Sequence, residues 1–162
     1  MKRIRYYFVA LILISLIASC GYKIRDSENA FIGAKVILIY DPKEINQKFI
    51  NQFQESQNYK SLLLNNSDQD ADIILRVINQ TLNRYSLALN ENLEASEARL
   101  EYKLEYSIRI KGLEENFFQI KLEKPFLYNE SRIMAMENKE ELLLNEFIKD
   151  AISLISLTIS SL

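Results

Sequence analysis

A single cysteine and the complete absence of histidine set the chemical limits of this 162-residue chain. Without histidine the commonest general base is missing, and with it the usual Ser-His and Cys-His nucleophile pairs. One cysteine cannot make an internal disulfide, and no Cys/His zinc cluster can be assembled. Carboxylate or Ser-Lys chemistry is open in principle, but no spacing supports either. The one reactive position is Cys20. It follows Ile17-Ala18-Ser19, an apolar residue and then two small ones, which matches the bacterial lipobox. Small side chains there let a peptidase approach the backbone, and the thiol accepts a diacylglycerol. Cys20 is thus expected to be a lipidation site, in a chain with no catalytic residues, no metal site and no cofactor.

The segment before Cys20 agrees with export. Lys2, Arg3 and Arg5 form a positive start, and Tyr6 to Ile17 is a twelve-residue apolar stretch interrupted only by Ser15. A membrane-spanning helix needs about 20 residues, so this stretch is too short to span but suits the core of a signal peptide. Residues 1–19 read as the lipoprotein signal, 20–33 as a lipidated tether and 34–162 as one periplasm-facing domain. The acyl chains would hold the protein firmly, at about 0.8 kcal/mol per buried CH₂. Residue 21 is Gly rather than Asp, which by the sorting rule of enteric lipoproteins resembles an outer-membrane address. After cleavage 143 residues remain, enough for one hydrophobic core. They carry 17 basic and 22 acidic side chains, a net charge of −5. No global positive charge points to nucleic acid.

The elements that follow read clearly in places. Lys35 to Tyr40 is an apolar, β-branched run expected to be a strand buried on both faces. Asp41 is expected to cap a helix that has Pro42 in its first position and Glu44 closing a capping box. Ile45, Phe49, Ile50 and Phe53 supply its buried stripe. Tyr59 to Leu64 is a short extended piece, and Asn65 to Asp70 a polar turn. Ala71 to Leu89 reads as a long strand whose apolar parity changes midway, from Ile73, Leu75 and Val77 to Ile78 and Leu82. Either a bulge or a two-sided environment accounts for that change. From Glu97 to Lys111 the alternation is strict. Leu100, Tyr102, Leu104, Tyr106 and Ile108 share one face, while Arg99, Glu101, Lys103, Glu105 and Arg109 share the other. That is a strand with a core face and a wet face. Gly112 starts a turn, Phe117 to Phe126 is a fourth strand, and Pro125 is expected to end its pairing. Asn138 is expected to cap a last helix buried through Leu144, Phe147, Ile148, Ala151, Ile152, Ile155, Ile159 and Leu162. The expected fold is α+β in two layers, two helices on one face of a four-stranded, mainly antiparallel sheet. Phe117, Ile74, Ile78 and Leu82 are candidates for apolar positions on the other face.

Several of these segments together resemble the LptE family of lipopolysaccharide-assembly outer-membrane lipoproteins. They are Cys20-Gly21-Tyr22-Lys23-Ile24-Arg25, the strand Val36 to Tyr40 with the capped helix after it, Glu101-Tyr102 within the alternating strand, and Met134-Ala135-Met136-Glu137-Asn138 before the last helix. Their order and spacing span the whole mature chain. The resemblance implies a non-enzymatic plug for the outer-membrane barrel LptD. Such a plug helps that barrel fold and helps insert lipopolysaccharide into the outer leaflet. It also implies lipopolysaccharide as a ligand, whose phosphates basic side chains can meet. The family's basic residues near the sheet hairpin and before the last helix are not clearly matched, and Glu137 is acidic in the second region. Arg84, Arg99, Arg132 and Lys139 are the nearby basic candidates. An adaptor or pilot lipoprotein of another envelope machine would share the anchor and the α+β domain but not the barrel.

Overall fold

The structure, a computed structural model, describes residues 33–56, 61–65, 70–89, 91 and 95–162. The signal (1–19), Cys20 and nearly all of the expected tether (20–33) lie outside these residues.

Strand β1 (Lys35–Ile39) is the apolar run expected from the sequence. Its central residues Val36, Ile37 and Leu38 are wholly buried. Helix α1 (Gln47–Ser56) begins later than expected. Asp41 does not cap it. The Asp41 carboxylate accepts from the Lys43 amide, and its carbonyl accepts from the Glu44 and Ile45 amides, which closes a separate turn. The cap is Asn46, whose side chain accepts from the Lys48 amide at 2.8 Å and so satisfies one of the open donors of the first turn. The Asn46 amide itself donates to the Gln80 side chain, also at 2.8 Å, which ties the start of the helix to the sheet. Phe49, Ile50 and Phe53 are fully buried, as the stripe requires.

Strand β2 (Ser61–Leu64) is a fifth strand. The expected four-stranded sheet is thus corrected to five, in the order β2-β1-β3-β4-β5, where β3 is Ile73–Leu89, β4 is Ala95–Ile110 and β5 is Asn116–Leu127. Strand β1 runs parallel to both β2 and β3, and β3, β4 and β5 are antiparallel to one another. The class is α+β, with two helices packed against a mixed, mostly antiparallel sheet.

The change of parity in β3 is a bulge. Val77 pairs with Tyr106 and Asn79 with Glu105, so Ile78 is the extra residue. Directly paired residues share a face. Up to Val77 the odd positions of β3 face the helices; beyond Ile78 the even ones do. The bulge therefore turns Gln80, Leu82 and Arg84 toward the helices, opposite Leu104, Tyr102 and Leu100. Leu82 thus leaves the set expected on the other face.

Pro125 does not end the pairing of β5, which continues opposite Arg99 and on to Leu127 opposite Glu97. Strand β5 is the sheet edge, where a missing N–H costs no ladder bond if it points outward. A 3₁₀ turn (Glu130–Arg132) then leads into helix α2 (Ile133–Ser161). Asn129 caps the 3₁₀ turn, accepting from the Ser131 amide, and α2 follows from Arg132 with no side-chain cap, so the expected cap Asn138 lies inside the helix. The last helix so begins five residues before the expected cap.

The core lies between the sheet and the two helices. It joins Val36, Leu38, Phe49, Phe53, Leu75, Leu100, Leu104, Ile108, Phe147 and Ile155 in one cluster. Tyr102 stacks on Phe147 (centroids 5.8 Å apart) and Tyr106 on Phe118 (5.4 Å). The Tyr102 hydroxyl accepts from Gln80 at 3.0 Å, and the Tyr106 hydroxyl meets Thr158 at 3.3 Å, so neither polar tip is orphaned by burial. The expected stripe of α2 is buried with two changes: Leu143 is buried beside a partly buried Leu144, and Leu162 is half exposed.

Candidate functional site

The sheet face turned away from the helices is the most organised polar surface of the domain. Strict alternation in β4 forces its charges outward, because the opposite parity is committed to the core. Register then sets their neighbours. Arg99 lies opposite Tyr85 on β3, Glu101 opposite Asn83 and Lys103 opposite Thr81. On the β5 side Glu101 faces Glu123 and Lys103 faces Lys121.

Like charges directly opposite destabilise a sheet, and here contacts along each strand and diagonally across the two offset them. Lys121 Nζ lies 2.9 Å from Glu101 and 2.6 Å from Glu123. Lys103 Nζ lies 2.9 Å from Glu101, and an Arg99 guanidinium nitrogen lies 3.1 Å from Glu123. The Tyr85 hydroxyl donates to Glu101 at 3.3 Å, and the Arg99 guanidinium sits over the Tyr85 ring at 5.5 Å. Three cations and two carboxylates so form a nearly neutral mesh.

Glu101 is its centre. It is only 4% exposed although it belongs to the outward face, because the longer side chains around it close over it. The hydrogen bonds from Lys103 and then Lys121 hold its carboxyl down to about 2, against the opposing effect of burial. Lys121 is pushed above the ordinary lysine value by Glu123 first and Glu101 second. The mesh continues outward: Gln119 donates to Glu105, Ser107 donates to Glu115 at 2.6 Å, and Arg76 lies 3.6 Å from Glu115. The five central charges, Arg99, Glu101, Lys103, Lys121 and Glu123, each have a partner of opposite sign, whereas Glu105 is met by a neutral amide.

The four basic candidates separate. Arg99 belongs to this mesh. Arg84, turned by the bulge, lies on the helix side, 2.8 Å from Glu140 and over the Tyr128 ring at 4.8 Å. Arg132 closes the 3₁₀ turn and Lys139 precedes Glu140 on α2. The structure therefore brings Arg84 to the segment that carries Arg132 and Lys139, at the β3–β4 hairpin end, and leaves Arg99 on the opposite face. Exposed apolar side chains gather at that same end: Leu89, Leu127, Ile133 and Met134. Sequence reasoning missed Lys121, Glu123 and Tyr85 as members of the mesh. Their alternation was visible in β5 and β3, but the partner of each depended on register. Cys20 lies outside the described residues. Among the described residues no group of three or more Cys, Asp or Glu could hold a metal ion.

No protein-family model matches the sequence, and no curated relative does. Solved structures do match. Rare lipoprotein B from Shewanella oneidensis superposes with a TM-score of 0.63 at 20% identity, over 78% of this chain and 94% of that one. A minor lipoprotein from Acinetobacter baumannii gives 0.60 at 21% identity, over 81% and 93%. Uncharacterized lipoprotein B from Nitrosomonas europaea gives 0.63 at 18% identity, over 87% and 91%. At these identities the likeness is one of fold, and over most of its length this chain has the fold of the rare lipoprotein B, or LptE, structures.

Proposed function

We propose that this protein is a lipid-anchored outer-membrane lipoprotein of the LptE family, held by Cys20 on the periplasmic face. There it acts as plug and assembly partner of an LptD-like β-barrel and so helps lipopolysaccharide reach the outer leaflet. The role is non-enzymatic. The observation that carries the reading is the internally paired mesh around Glu101, on a domain with the lipoprotein B fold. The lumen of a large barrel is polar and wet. A face whose central charges are already paired can enter it without stranding those charges, which would be strongly destabilising. An apolar face of this length would favour aggregation instead.

Lipopolysaccharide contact is proposed at the hairpin end. There Arg84, Arg132 and Lys139 stand near exposed Leu127, Ile133 and Met134. Cations beside apolar side chains suit a ligand with phosphates and acyl chains. Arg99 would reach such a ligand only from the barrel-facing side.

The test is site-specific photocrosslinking in intact cells from positions 99, 103 and 109, all on the polar face. Crosslinks to a large outer-membrane barrel are expected. If the protein is folded and lipidated but no position reaches a barrel, the plug reading fails and an adaptor role in another envelope machine takes its place.

A further inference from the structure

Two ends of the domain expose apolar side chains, and only one of them adjoins the tether. Three hydrogen bonds fix this. The Lys35 amide donates to the Asp72 carboxylate at 2.7 Å, the Asp72 amide donates to the Lys35 carbonyl at 2.9 Å, and the Lys111 amide donates to the Asp72 carbonyl at 2.9 Å. Lys35, where the domain begins, so lies about two strand spacings, roughly 10 Å, from the β4–β5 turn. The hairpin end lies sixteen residues of β4 away, about 50 Å.

The β4–β5 turn is shaped to project. Gly112 takes a φ of +84°, and the next residue, Leu113, is 54% exposed; Phe117, at the start of β5, is 71% exposed. Helix α2 finishes at the same end, as the Tyr106–Thr158 contact shows. From Ala151 to Leu162 it has no charged side chain, and Leu154 and Leu157 point out of the core. Most charges near the turn are matched, Lys111 with Asp70 and Arg76 with Glu115. This end presents apolar side chains and is close to neutral, with Arg109 and Glu114 exposed beside them.

We propose that this end, formed by Leu113, Phe117 and the uncharged last turns of α2, rests on the phospholipid surface in which the acyl chains of Cys20 are held. The inference rests on the lipid-anchor reading. Cys20 and Lys35 are fifteen residues apart, a reach of at most about 50 Å, so the anchor keeps this end at high effective concentration beside the bilayer. Exposed leucine and phenylalanine side chains gain from entering the headgroup–acyl boundary, the usual footing of interfacial segments. The hairpin end then points away from the membrane surface that holds the anchor, as it would before any barrel is engaged. With most of the nearby charges matched and the rest opposite in sign, the contact is apolar in origin and salt does not release it.

The test uses the acylated full-length protein in phosphatidylethanolamine–phosphatidylcholine vesicles containing nitroxide-labelled lipid and no barrel. With Cys20 acylated, an introduced cysteine is the only free thiol. A fluorophore is placed through Leu113→Cys or Leu157→Cys at the tether end, and through Leu89→Cys or Met134→Cys at the hairpin end. All four positions are exposed, so labelling leaves the core intact. Vesicle flotation is measured first. Loss of fluorescence at positions 113 and 157, with none at 89 and 134 and no relief by added salt, is expected. Floating protein with position 113 unquenched, or with both ends quenched equally, overturns the proposal while leaving the anchor standing. Quenching abolished by salt assigns the contact to charge and overturns its apolar basis. Protein that fails to float overturns the anchor and the proposal together.

Discussion

Glu101 and Glu123 stand directly opposite each other across β4 and β5, and Lys121 bridges them, its ammonium 2.9 Å from one carboxylate and 2.6 Å from the other. Lysine at this point turns a repulsive cross-strand pair into a three-membered bridge. Lys103 and Arg99 complete it from the neighbouring positions of β4.

This bridge predicts an acid dependence of stability. The carboxyl of Glu101 is held at about 2 in the folded protein, below its ordinary value of 4.5. A carboxyl depressed on folding stabilises the native state above its unfolded pKa, and that contribution is lost as pH falls through the folded value. Between about pH 4.5 and 2 the wild-type protein should lose stability more steeply than Glu101→Gln. Urea melts across that range measure it, and parallel curves would show that Glu101 contributes nothing to the acid limb.

Leu104 is fully buried in the core and faces Ile120 and Gln80 across the neighbouring strands. Leu104→Ala should cost about 2–5 kcal/mol, from lost transfer energy and the cavity left behind. Equilibrium denaturation reads the change. A loss below roughly 0.5 kcal/mol, the range of ordinary surface substitutions, would contradict the assignment of this face to the core.

The bulge makes a sharper prediction. Ile78 is 41% exposed, and on either side of it Val77 pairs with Tyr106 and Asn79 with Glu105. Deleting Ile78 leaves every other residue of β3 with its present partner. The deletion should fold, at a cost within the usual range of about 0.5–3 kcal/mol for single changes. Deleting Lys103 instead shifts one half of β4 by a residue and turns its core set outward, so that variant should not fold. Circular dichroism and melts of the two purified proteins decide it. An unfolded Ile78 deletion would mean that the extra residue is itself required for the bend.

Processing is tested at Cys20. Mass spectrometry of membrane-extracted protein should find a chain that begins at Cys20 and carries diacylglycerol on its thiol, with a further acyl group on its amine. Cys20→Ala should abolish both cleavage and membrane retention. A mature chain with a free Cys20 thiol would end the lipoprotein reading.

Elements whose pattern is local and repeated are legible in the chain alone. Strict alternation from Arg99 to Arg109 dictated both faces of β4, because its period of two leaves no second arrangement that buries the apolar set. The stripe of Phe49, Ile50 and Phe53 likewise specified the buried side of α1. The choice between competing local signals needed the tertiary structure. Asp41 and Asn46 are both good caps, and Asn46 starts the helix where Gln80, 34 positions along the chain, receives its amide. At α2 the expected cap Asn138 lies inside the helix, because the 3₁₀ turn capped by Asn129 leads straight into it. The parity change in β3 was visible, but pairing with β4 decided that it was a bulge and that Arg84 meets Glu140 rather than the polar face. Strand β2 is four residues long and shows no alternation; parallel pairing with β1 makes it a strand. Each charge of the Glu101 mesh could be read from the chain, whereas its partners could not. Side-chain direction is set by neighbours along the backbone, but a cross-strand partner is set by register, which is a property of two strands at once.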